Sequence, residues 1–385
     1  MLPMNSTHSR NGADVLLGVL LRHGVDTVFA YPGGATLPLH QALTRIADRL
    51  RTILPRHEQG GGFAASAYAQ TSGKPGVVFA TSGPGATNLV TAIADAHRRC
   101  IPMLAITGQV HHRDLGKDAF QEIPIVSVCR NITKHHYLIT RTEDIPRVLT
   151  EALHLATSGR PGPVIVDVPK NLQAQKFLGD ETPEFDLPDS KLAAGAPWAC
   201  KPEATPHPVL QRLWHLVRAR RGLYRTYVTS GTGPALGWVA GSWWFPSARH
   251  WVATDSLGAI GYALPAALGV LAAQPGARVI AVDTPASFIA NVHELACAFV
   301  EDLPAKVLLL HAEGADEPAV DFVALAQGFR AGGLRVRPGE DLDAALTAML
   351  DHSGPFVLDV PLPTASPTHE APVVRRRRGT PVVGG

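Results

Sequence analysis

The 385-residue sequence is 45% apolar and 18% charged, which excludes a chain that is disordered throughout. Its 35 basic and 33 acidic residues nearly cancel to a net charge of +2, which argues against a general nucleic-acid binder. The four cysteines lack CxxC spacing, which excludes a disulfide scaffold or zinc ribbon and fits a cytoplasmic protein.

The amino-terminal segment, residues 1–11, lacks the apolar run of a signal peptide, and we expect it to be disordered. The most apolar stretch of the chain, residues 259–273, contains Pro265. It is also shorter than the roughly 20 residues that a membrane-spanning helix needs. The sequence therefore predicts no membrane segment and no membrane partner.

Short apolar runs alternate with amphipathic stretches over residues 12–172. Runs rich in valine and isoleucine occur at 27–30, 76–80, 103–106 and 164–168. Such short, continuous apolar runs are typical of parallel strands that are buried on both faces. The alternation with helical patterns predicts a doubly wound α/β domain.

A change of composition separates this region from a second one of the same kind. Residues 173–206 are rich in proline, acidic residues, alanine and glycine, and this predicts a linker. A second α/β alternation then occupies residues 207–365. Residues 366–385 carry four consecutive arginines and predict a flexible basic tail. We expect an α/β protein with two doubly wound parallel-sheet domains.

Glycine-rich turns follow two of the predicted strands, YPGGA at 31–35 and TSGPGA at 81–86. Glycine at the carboxyl end of a strand allows a ligand or a helix N-terminus to approach the backbone closely. An ordinary tight turn explains either sequence equally well. Neither turn by itself establishes a phosphate-binding site.

Taken together in chain order, these turns and further motifs resemble the acetolactate synthases, thiamine-diphosphate enzymes of branched-chain amino-acid synthesis. The first half resembles the family's pyrimidine-binding (PYR) domain and the second half its diphosphate-binding (PP) domain. The resemblance therefore implies a PYR-like and a PP-like domain. The PYR motifs are AYPGGA (30–35), LPRHEQGG (54–61), FATSGPGATNLV (79–90), ITGQV (106–110), KDAFQE (117–122), ITKHHYL (132–138) and SGRPGPVIVDVPK (158–170), and the PP motifs are SLGAIGYALPAALG (256–269) and SFIANVHELA (287–296).

The resemblance implies a catalytic role for Glu58, which matches the glutamate that hydrogen-bonds the aminopyrimidine N1′ of thiamine diphosphate. A carboxylate at that atom stabilises the imino tautomer, whose nitrogen removes the thiazolium C2 proton. Glu58 is thus the predicted activator of the cofactor.

Other site residues are implied by the same resemblance. Gly33 and Gly34 match the loop that faces the thiazolium ring. Ile260 matches a bulky apolar residue that holds the cofactor bent, although a plain core residue would look identical in sequence. Phe120 and Gln121 match residues that line the substrate chamber, which in this family receives a 2-keto acid.

The PP-like half departs from the family at the metal site. The position of the metal-binding aspartate holds Pro285, which has neither a carboxylate nor a backbone N–H, and the ligand asparagine falls on Ala312. Asp283 lies two residues early and would serve only in a rebuilt turn. A Gln-His pair that helps to hold the diphosphate becomes Pro234 and Ala235. Since magnesium prefers oxygen ligands, we expect no conventional magnesium site and only weak binding of thiamine diphosphate.

Two segments of the family have little or no counterpart here. The middle domain, which holds flavin in acetolactate synthase, is replaced by residues 173–206, so we expect no FAD. The lid that follows the metal asparagines is reduced to residues 314–320. Loss of the lid would weaken the exclusion of water during carbanion chemistry.

In this family the PYR domain of one subunit pairs with the PP domain of another. The resemblance therefore implies a homodimer, or a heteromer with an intact paralogue, with Glu58 delivered across the interface. Three interpretations stay open. The chain is a thiamine-diphosphate-dependent lyase or carboligase, a non-catalytic structural or regulatory subunit without its own cofactor, or a protein that uses the cleft for another ligand.

Overall fold

The computed structural model describes residues 10–180, 182, 207–220, 222–254, 257–312, 320–337 and 339–362. Within them the chain forms two six-stranded sheets whose strand pairs are all parallel. This confirms the predicted α/β class with two doubly wound domains. Most of the predicted linker, the amino-terminal segment and the basic tail lie outside the described residues.

The first domain contains a sheet of order β2-β1-β3-β4-β6-β5. Its central strands are buried along their whole length, as a parallel sheet covered by helices on both faces requires. The strands are β1 (Thr27–Ala30), β2 (Arg51–Ile53), β3 (Gly76–Ala80), β4 (Met103–Gln109), β5 (His135–Leu138) and β6 (Pro163–Pro169). The helices are α1 (Gly12–Arg22), α2 (Leu37–Arg45), α3 (Glu58–Ser72), α4 (Pro84–Thr87), α5 (Val90–Arg99), α6 (Ile125–Cys129), α7 (Ile145–Thr157) and α8 (Lys170–Ala174).

The second domain contains a sheet of order β11-β12-β10-β9-β7-β8. Counted from its own first strand, it has the same neighbour order as the first sheet. Its strands are β7 (Thr226–Ser230), β8 (Trp251–Ala253), β9 (Arg278–Asp283), β10 (Lys306–Ala312), β11 (Gly332–Arg335) and β12 (Phe356–Leu362). Its helices are α9 (Pro208–Ala219), α10 (Pro234–Ser242), α11 (Ala263–Ala273), α12 (Pro285–Phe288), α13 (Glu294–Val300), α14 (Phe322–Gly328) and α15 (Leu342–Asp351).

The two domains pack against each other through α3 and α11. These helices are equivalent, because each follows the second strand of its own sheet. Both helices are rich in alanine and buried almost all round. Gly269 lies so close to the Ala64 carbonyl oxygen that a Cβ there would overlap it. Phe63 packs edge-on against Tyr262 with ring centroids 5.1 Å apart. One continuous apolar core therefore connects the two sheets.

A buried ion pair crosses the same interface. Arg99 Nη1 lies 3.1 Å from the Asp95 carboxylate, and both side chains are almost fully buried. Arg99 also donates to the Tyr262 hydroxyl at 2.6 Å, and Asp95 accepts from Thr254 at 2.8 Å. Tyr262 and Thr254 belong to the second domain, so the pair is satisfied only when the domains are packed together.

None of the helices in the described part of the chain is both long enough and apolar enough to span a membrane.

Candidate functional site

The glycine-rich turn after β3 brings predicted residues from separate parts of the first domain together. The Thr81 hydroxyl accepts a hydrogen bond from the Ala35 backbone N–H at 3.2 Å. The Thr81 side chain also fills the space that a Cβ at Gly33 would need. Gly83 has a φ of +60°, and a Cβ there would lie 2.8 Å from the Gln121 carbonyl oxygen. Only glycine fits at these two positions, and as a result the loops at 33 and 121 both reach this turn.

Glu58 faces the same turn from the opposite side. It is the first residue of α3 and is 6% exposed. Its Oε2 accepts a hydrogen bond from Asn88 Nδ2 at 3.0 Å, and a Cβ at Gly85 would lie 3.0 Å from Oε1. A carboxylate in the first turn of a helix is stabilised by the helix dipole. The arrangement fixes a buried carboxylate and leaves Oε1 space beside Gly85.

Three other predicted residues lie at open surfaces. A Cβ at Gly34 would meet no atom within 4 Å, so this glycine faces open space. Phe120 is 88% exposed. Ile260, in the second domain, is 56% exposed and is therefore not the core residue that its sequence allowed. The structure does not bring Phe120 into the buried cluster around Glu58.

At the matching edge of the second sheet, Asp283 ends β9 and is 1% exposed. Its Oδ1 accepts from the Thr284 backbone N–H at 2.9 Å, whereas its Oδ2 has no hydrogen-bond partner among the described residues. Burial raises the pKa of the Asp283 carboxyl to about 7. Pro285, at the expected aspartate position, opens the short helix α12, and Ala312 is the last residue of β10.

Sequence inspection did not predict a second group of polar residues at this edge. His311 Nε2 lies 2.8 Å from Asp359 Oδ1, and Arg335 Nε lies 3.7 Å from Asp359 Oδ2. Within the part of the chain that the structure describes, the Nδ1 atom of His311 is buried without a hydrogen-bond partner. These residues come from three neighbouring strands, and only the strand order, which the sequence does not state, brings them together.

The two edges therefore differ in what they fit. The first offers a buried carboxylate beside a glycine turn, which fits the aminopyrimidine end of thiamine diphosphate. At the second, no three His, Cys, Asp or Glu side chains of the described residues lie close enough together to hold a metal ion. Magnesium prefers several hard oxygen ligands in near-octahedral geometry. Pro285 and Ala312 carry no side-chain oxygen at the two positions where the resemblance implies ligands.

Asn88 and Thr81 were not among the predicted site residues. Both lie inside FATSGPGATNLV, the motif that carried part of the resemblance, so the signal was present in the sequence. Their contacts with Glu58 and Gly33 span 30 and about 50 residues of chain, and a motif alone does not reveal such contacts.

Two family models match this chain. The model for the thiamine pyrophosphate enzyme N-terminal TPP binding domain matches residues 10–129. The model for the C-terminal TPP binding domain matches residues 231–314 and 310–360. The first match covers β1 to β4 of the first domain, and the second covers β8 to most of β12 of the second domain.

Known proteins with similar sequences carry the name acetolactate synthase. Acetolactate synthase 2, chloroplastic, of Brassica napus is 34% identical over 548 aligned positions, covering 92% of this chain and 86% of the relative. Acetolactate synthase, chloroplastic, of Arabidopsis thaliana is 33% identical and covers 92% and 82%. Acetolactate synthase 2, chloroplastic, of Zea mays is 32% identical and covers 94% and 87%. The alignments exceed the length of this chain because each relative contains residues that this chain lacks.

Proposed function

The chain belongs to the thiamine pyrophosphate enzyme family and is similar to acetolactate synthases, and from this we propose that it binds thiamine diphosphate (thiamine pyrophosphate) and acts on 2-keto acids. The observation that carries the proposal is the buried Glu58 carboxylate, held by Asn88 beside Gly85. The reaction would be decarboxylation or carboligation. When bound, the cofactor supplies a carbanion nucleophile for such chemistry.

Glu58 would hold or transfer a proton at the aminopyrimidine N1′. A positioned carboxylate contributes to proton transfer because it is already within hydrogen-bond reach and pays little reorganisation. Asn88 engages Oε2 and thereby leaves Oε1 available to a ligand. Gly85 supports this assignment, since a side chain there would crowd Oε1.

Gly34 would face the thiazolium ring, and Phe120 and Gln121 would line the approach for the 2-keto acid. Gln121 has a positive φ of 61° and lies against Gly83, so its backbone position is tightly defined. Gln109 Nε2 donates to the Ile123 carbonyl oxygen at 2.9 Å and supports the same loop. Ile260, exposed on the second domain, would contact the cofactor rather than the protein core.

We assign no step to magnesium. With Pro285 and Ala312 at the ligand positions, the diphosphate would lack the cation that normally neutralises it, which lowers affinity. Binding of thiamine diphosphate would therefore be weak and scarcely magnesium-dependent. The purified chain is also expected to carry no FAD, and a yellow preparation with stoichiometric flavin would contradict that expectation.

The substitutions at Pro285 and Ala312 favour a second candidate function, that of a structural or regulatory subunit that does not hold its own cofactor and pairs with an intact paralogue. In a homodimer every cleft would combine a well-formed first domain with a poor second domain. In a heteromer with an intact paralogue, Glu58 of this chain would face a complete diphosphate site, and that composite cleft would be active. The other cleft, which contains the second domain of this chain, would be inactive.

Calorimetric titration with thiamine diphosphate, with and without magnesium, tests the main proposal. We expect saturable binding by the natural chain, weaker binding in Glu58→Gln, and no change in Glu143→Gln, whose side chain lies at the surface of the same domain. A submicromolar affinity that requires magnesium would contradict the expected weakness. Absence of binding by the natural chain would overturn the proposal of a cofactor-dependent enzyme.

A mixing experiment tests the second candidate. The partner would be an acetolactate synthase whose own glutamate, at the position matching Glu58, is replaced by alanine. Activity that appears only on mixing, and disappears with Glu58→Ala in this chain, would support the composite cleft. Failure of the two chains to co-purify, or an inactive mixture, would exclude it.

A further inference from the structure

We propose that Glu294, in the second domain, is a positioning residue that holds the turn preceding Glu58 and thereby sets the direction of the Glu58 carboxylate. This inference rests on the proposed role of Glu58 as the group that meets the cofactor. It assigns a function in the site to a residue that belongs to the other domain and does not touch the cofactor itself.

Glu294 contacts the backbone N–H groups of the two residues directly before Glu58. Glu294 Oε1 accepts hydrogen bonds from the backbone N–H groups of Arg56 at 2.9 Å and His57 at 3.1 Å. The residue is 1% exposed, so these bonds form away from water. Hydrogen bonds to an ionised or partly ionised carboxylate in such surroundings are stronger than neutral ones. Removing the acceptor would leave two N–H groups unsatisfied.

The sequence of α3 accommodates this carboxylate. A Cβ at Gly60 would overlap Glu294 Oε1, so the helix needs glycine where the carboxylate passes. From the other side, His57 Nδ1 accepts from the Gln59 backbone N–H at 3.1 Å and caps the helix. The turn is therefore fixed by one bond from its own helix and two from the second domain. Glu58, which lies between His57 and Gln59, has its backbone defined by all of them.

Two neighbours of Glu294 contact the same strand-to-helix connection. Glu301 Oε1 accepts from the Leu54 backbone N–H at 3.1 Å. Asn291 Nδ2 donates to the Gly261 carbonyl oxygen at 2.9 Å and lies 3.4 Å from Gln59 Oε1. Residues 291–301 thus contact the chain both before and after Glu58. Of these contacts, those of Glu294 lie nearest to Glu58 on its N-terminal side.

A role in joining the domains would also explain a buried glutamate, and the test must separate it from positioning. Glu301 provides the matched control. It belongs to the same segment and makes the same kind of bond to the same connection, but its partner, Leu54, lies four residues before Glu58. If Glu294 only joined the domains, removal of either glutamate would have similar consequences at Glu58.

The readout is the Asn88 side-chain amide, which donates to Glu58 Oε2. In cofactor-free protein labelled with ¹⁵N-asparagine, Glu294→Ala should shift the Asn88 amide signal toward its position in Glu58→Gln. Glu294→Gln keeps a carbonyl acceptor and should leave the signal near that of the natural chain. Glu301→Ala should leave it unchanged. Amide hydrogen exchange at residues 56 and 57 should rise about tenfold or more in Glu294→Ala.

Gly60→Ala provides an independent variant, because the added methyl group would displace the carboxylate without removing it. It should reproduce the Asn88 shift of Glu294→Ala, and it keeps the inference testable if Glu294→Ala does not fold. Calorimetry should then show that Glu294→Ala weakens thiamine diphosphate binding about tenfold, with rescue by Glu294→Gln.

An unchanged Asn88 signal in both Glu294→Ala and Gly60→Ala would overturn the inference, as would equal shifts in Glu294→Ala and Glu301→Ala. If the natural chain binds no thiamine diphosphate but the Asn88 signal responds as expected, the proposed function fails while the positioning of Glu58 by Glu294 is supported. The two ideas are therefore separated by measurements on the same variants.

Discussion

The carboxyl edges of the two sheets share a strand order but differ in chemistry. At the first edge, Asp167 accepts from Thr107 Oγ1 at 2.7 Å and from Gln109 Nε2 at 2.8 Å, and Glu58 is likewise hydrogen-bonded. Among the described residues, one oxygen of Asp283 and one ring nitrogen of His311 are buried without partners at the second edge, and Gln173 Oε1 is buried without one at the first. The second edge thus differs in having an unpaired oxygen on a carboxyl group, which is costlier to bury than an amide oxygen when it is ionised.

The difference shows that the fold and the site depend on separate residues. Both sheets bury continuous rows of valine, leucine and isoleucine, and these rows form the cores. The site residues follow the strands, where substitution leaves the rows intact. Proline at 285 and alanine at 312 are therefore compatible with the same sheet order as the first domain. The following predictions test this comparison, from the largest expected effect to the smallest.

Exchanging a carboxylate for an amide at each edge tests the comparison directly. Glu58→Gln should lower the cofactor-dependent kcat/KM for a 2-keto acid such as pyruvate by about 10²–10⁴-fold, as expected for loss of a general acid–base group. Asp283→Asn should change it by less than about twofold, because we assign Asp283 no step. Release of CO₂ measures both. Equal losses would show that the second edge also takes part in the chemistry.

The buried Arg99–Asp95 pair tests whether the two halves behave as one body. Arg99→Met leaves Asp95 buried and unpaired, and should cost about 3–5 kcal/mol of unfolding free energy. Arg113→Met, which removes an exposed ion pair, should cost less than about 1 kcal/mol.

Urea denaturation separates the two halves in this measurement, since all six tryptophans lie at residue 198 or beyond. Tryptophan fluorescence therefore reports on the second half, while far-ultraviolet circular dichroism reports on both. We expect one unfolding transition in the natural chain. In Arg99→Met, both probes should report the same shift of its midpoint to lower urea concentration. Two separate transitions in the natural chain would mean that the domains unfold independently.

Buried carboxyl groups give the chain a characteristic pH dependence. Burial raises the pKa of Asp167, Asp283 and Glu294 to about 7 in the folded chain, above the value of an unfolded carboxyl. The folded state then binds these protons more tightly than the unfolded state. Their contribution therefore lowers stability as the pH rises from about 4 to about 7, and it levels off above that range.

Asp283→Asn should remove one such contribution. We expect the variant to be about 2–4 kcal/mol more stable than the natural chain at pH 8, and nearly equal at about pH 3, where Asp283 is mostly protonated in both the folded and the unfolded state. Chemical denaturation at the two pH values measures the difference. Destabilisation at pH 8 would indicate that the Asp283 carboxylate has a partner, such as a bound cation.

Restoring the metal ligands should bring the second edge closer to that of the family. Pro285→Asp combined with Ala312→Asn should improve thiamine diphosphate affinity about tenfold, and only when magnesium is present. Each single change should do less, since one ligand does not complete a coordination shell. Calorimetry with and without magnesium measures the effect. Equal improvement without magnesium would mean that the substitutions act on the turn itself.

Much of the fold was predictable from local sequence. The apolar runs at 27–30 and 76–80 are β1 and β3, and those at 103–106 and 164–168 lie within β4 and β6. Buried parallel strands need such runs because both of their faces are covered. Four strands were not predicted, and all four lie at sheet edges: β2, β5, β8 and β11 have only three or four residues each. Short edge strands show too little apolar pattern to be recognised.

The candidate site was predictable only in part. The sequence alone determined the two α/β domains and, through the motif resemblance, predicted Glu58 and the glycine turns as site residues. Tertiary structure alone decided which groups meet: Asn88 with Glu58, His311 with Asp359, and Glu294 with the turn at Arg56. Arg56 and Glu294 are 238 residues apart, and no periodicity connects them. Periodic patterns record which face of an element is buried, whereas pairing between distant polar groups depends on how the two sheets pack through α3 and α11.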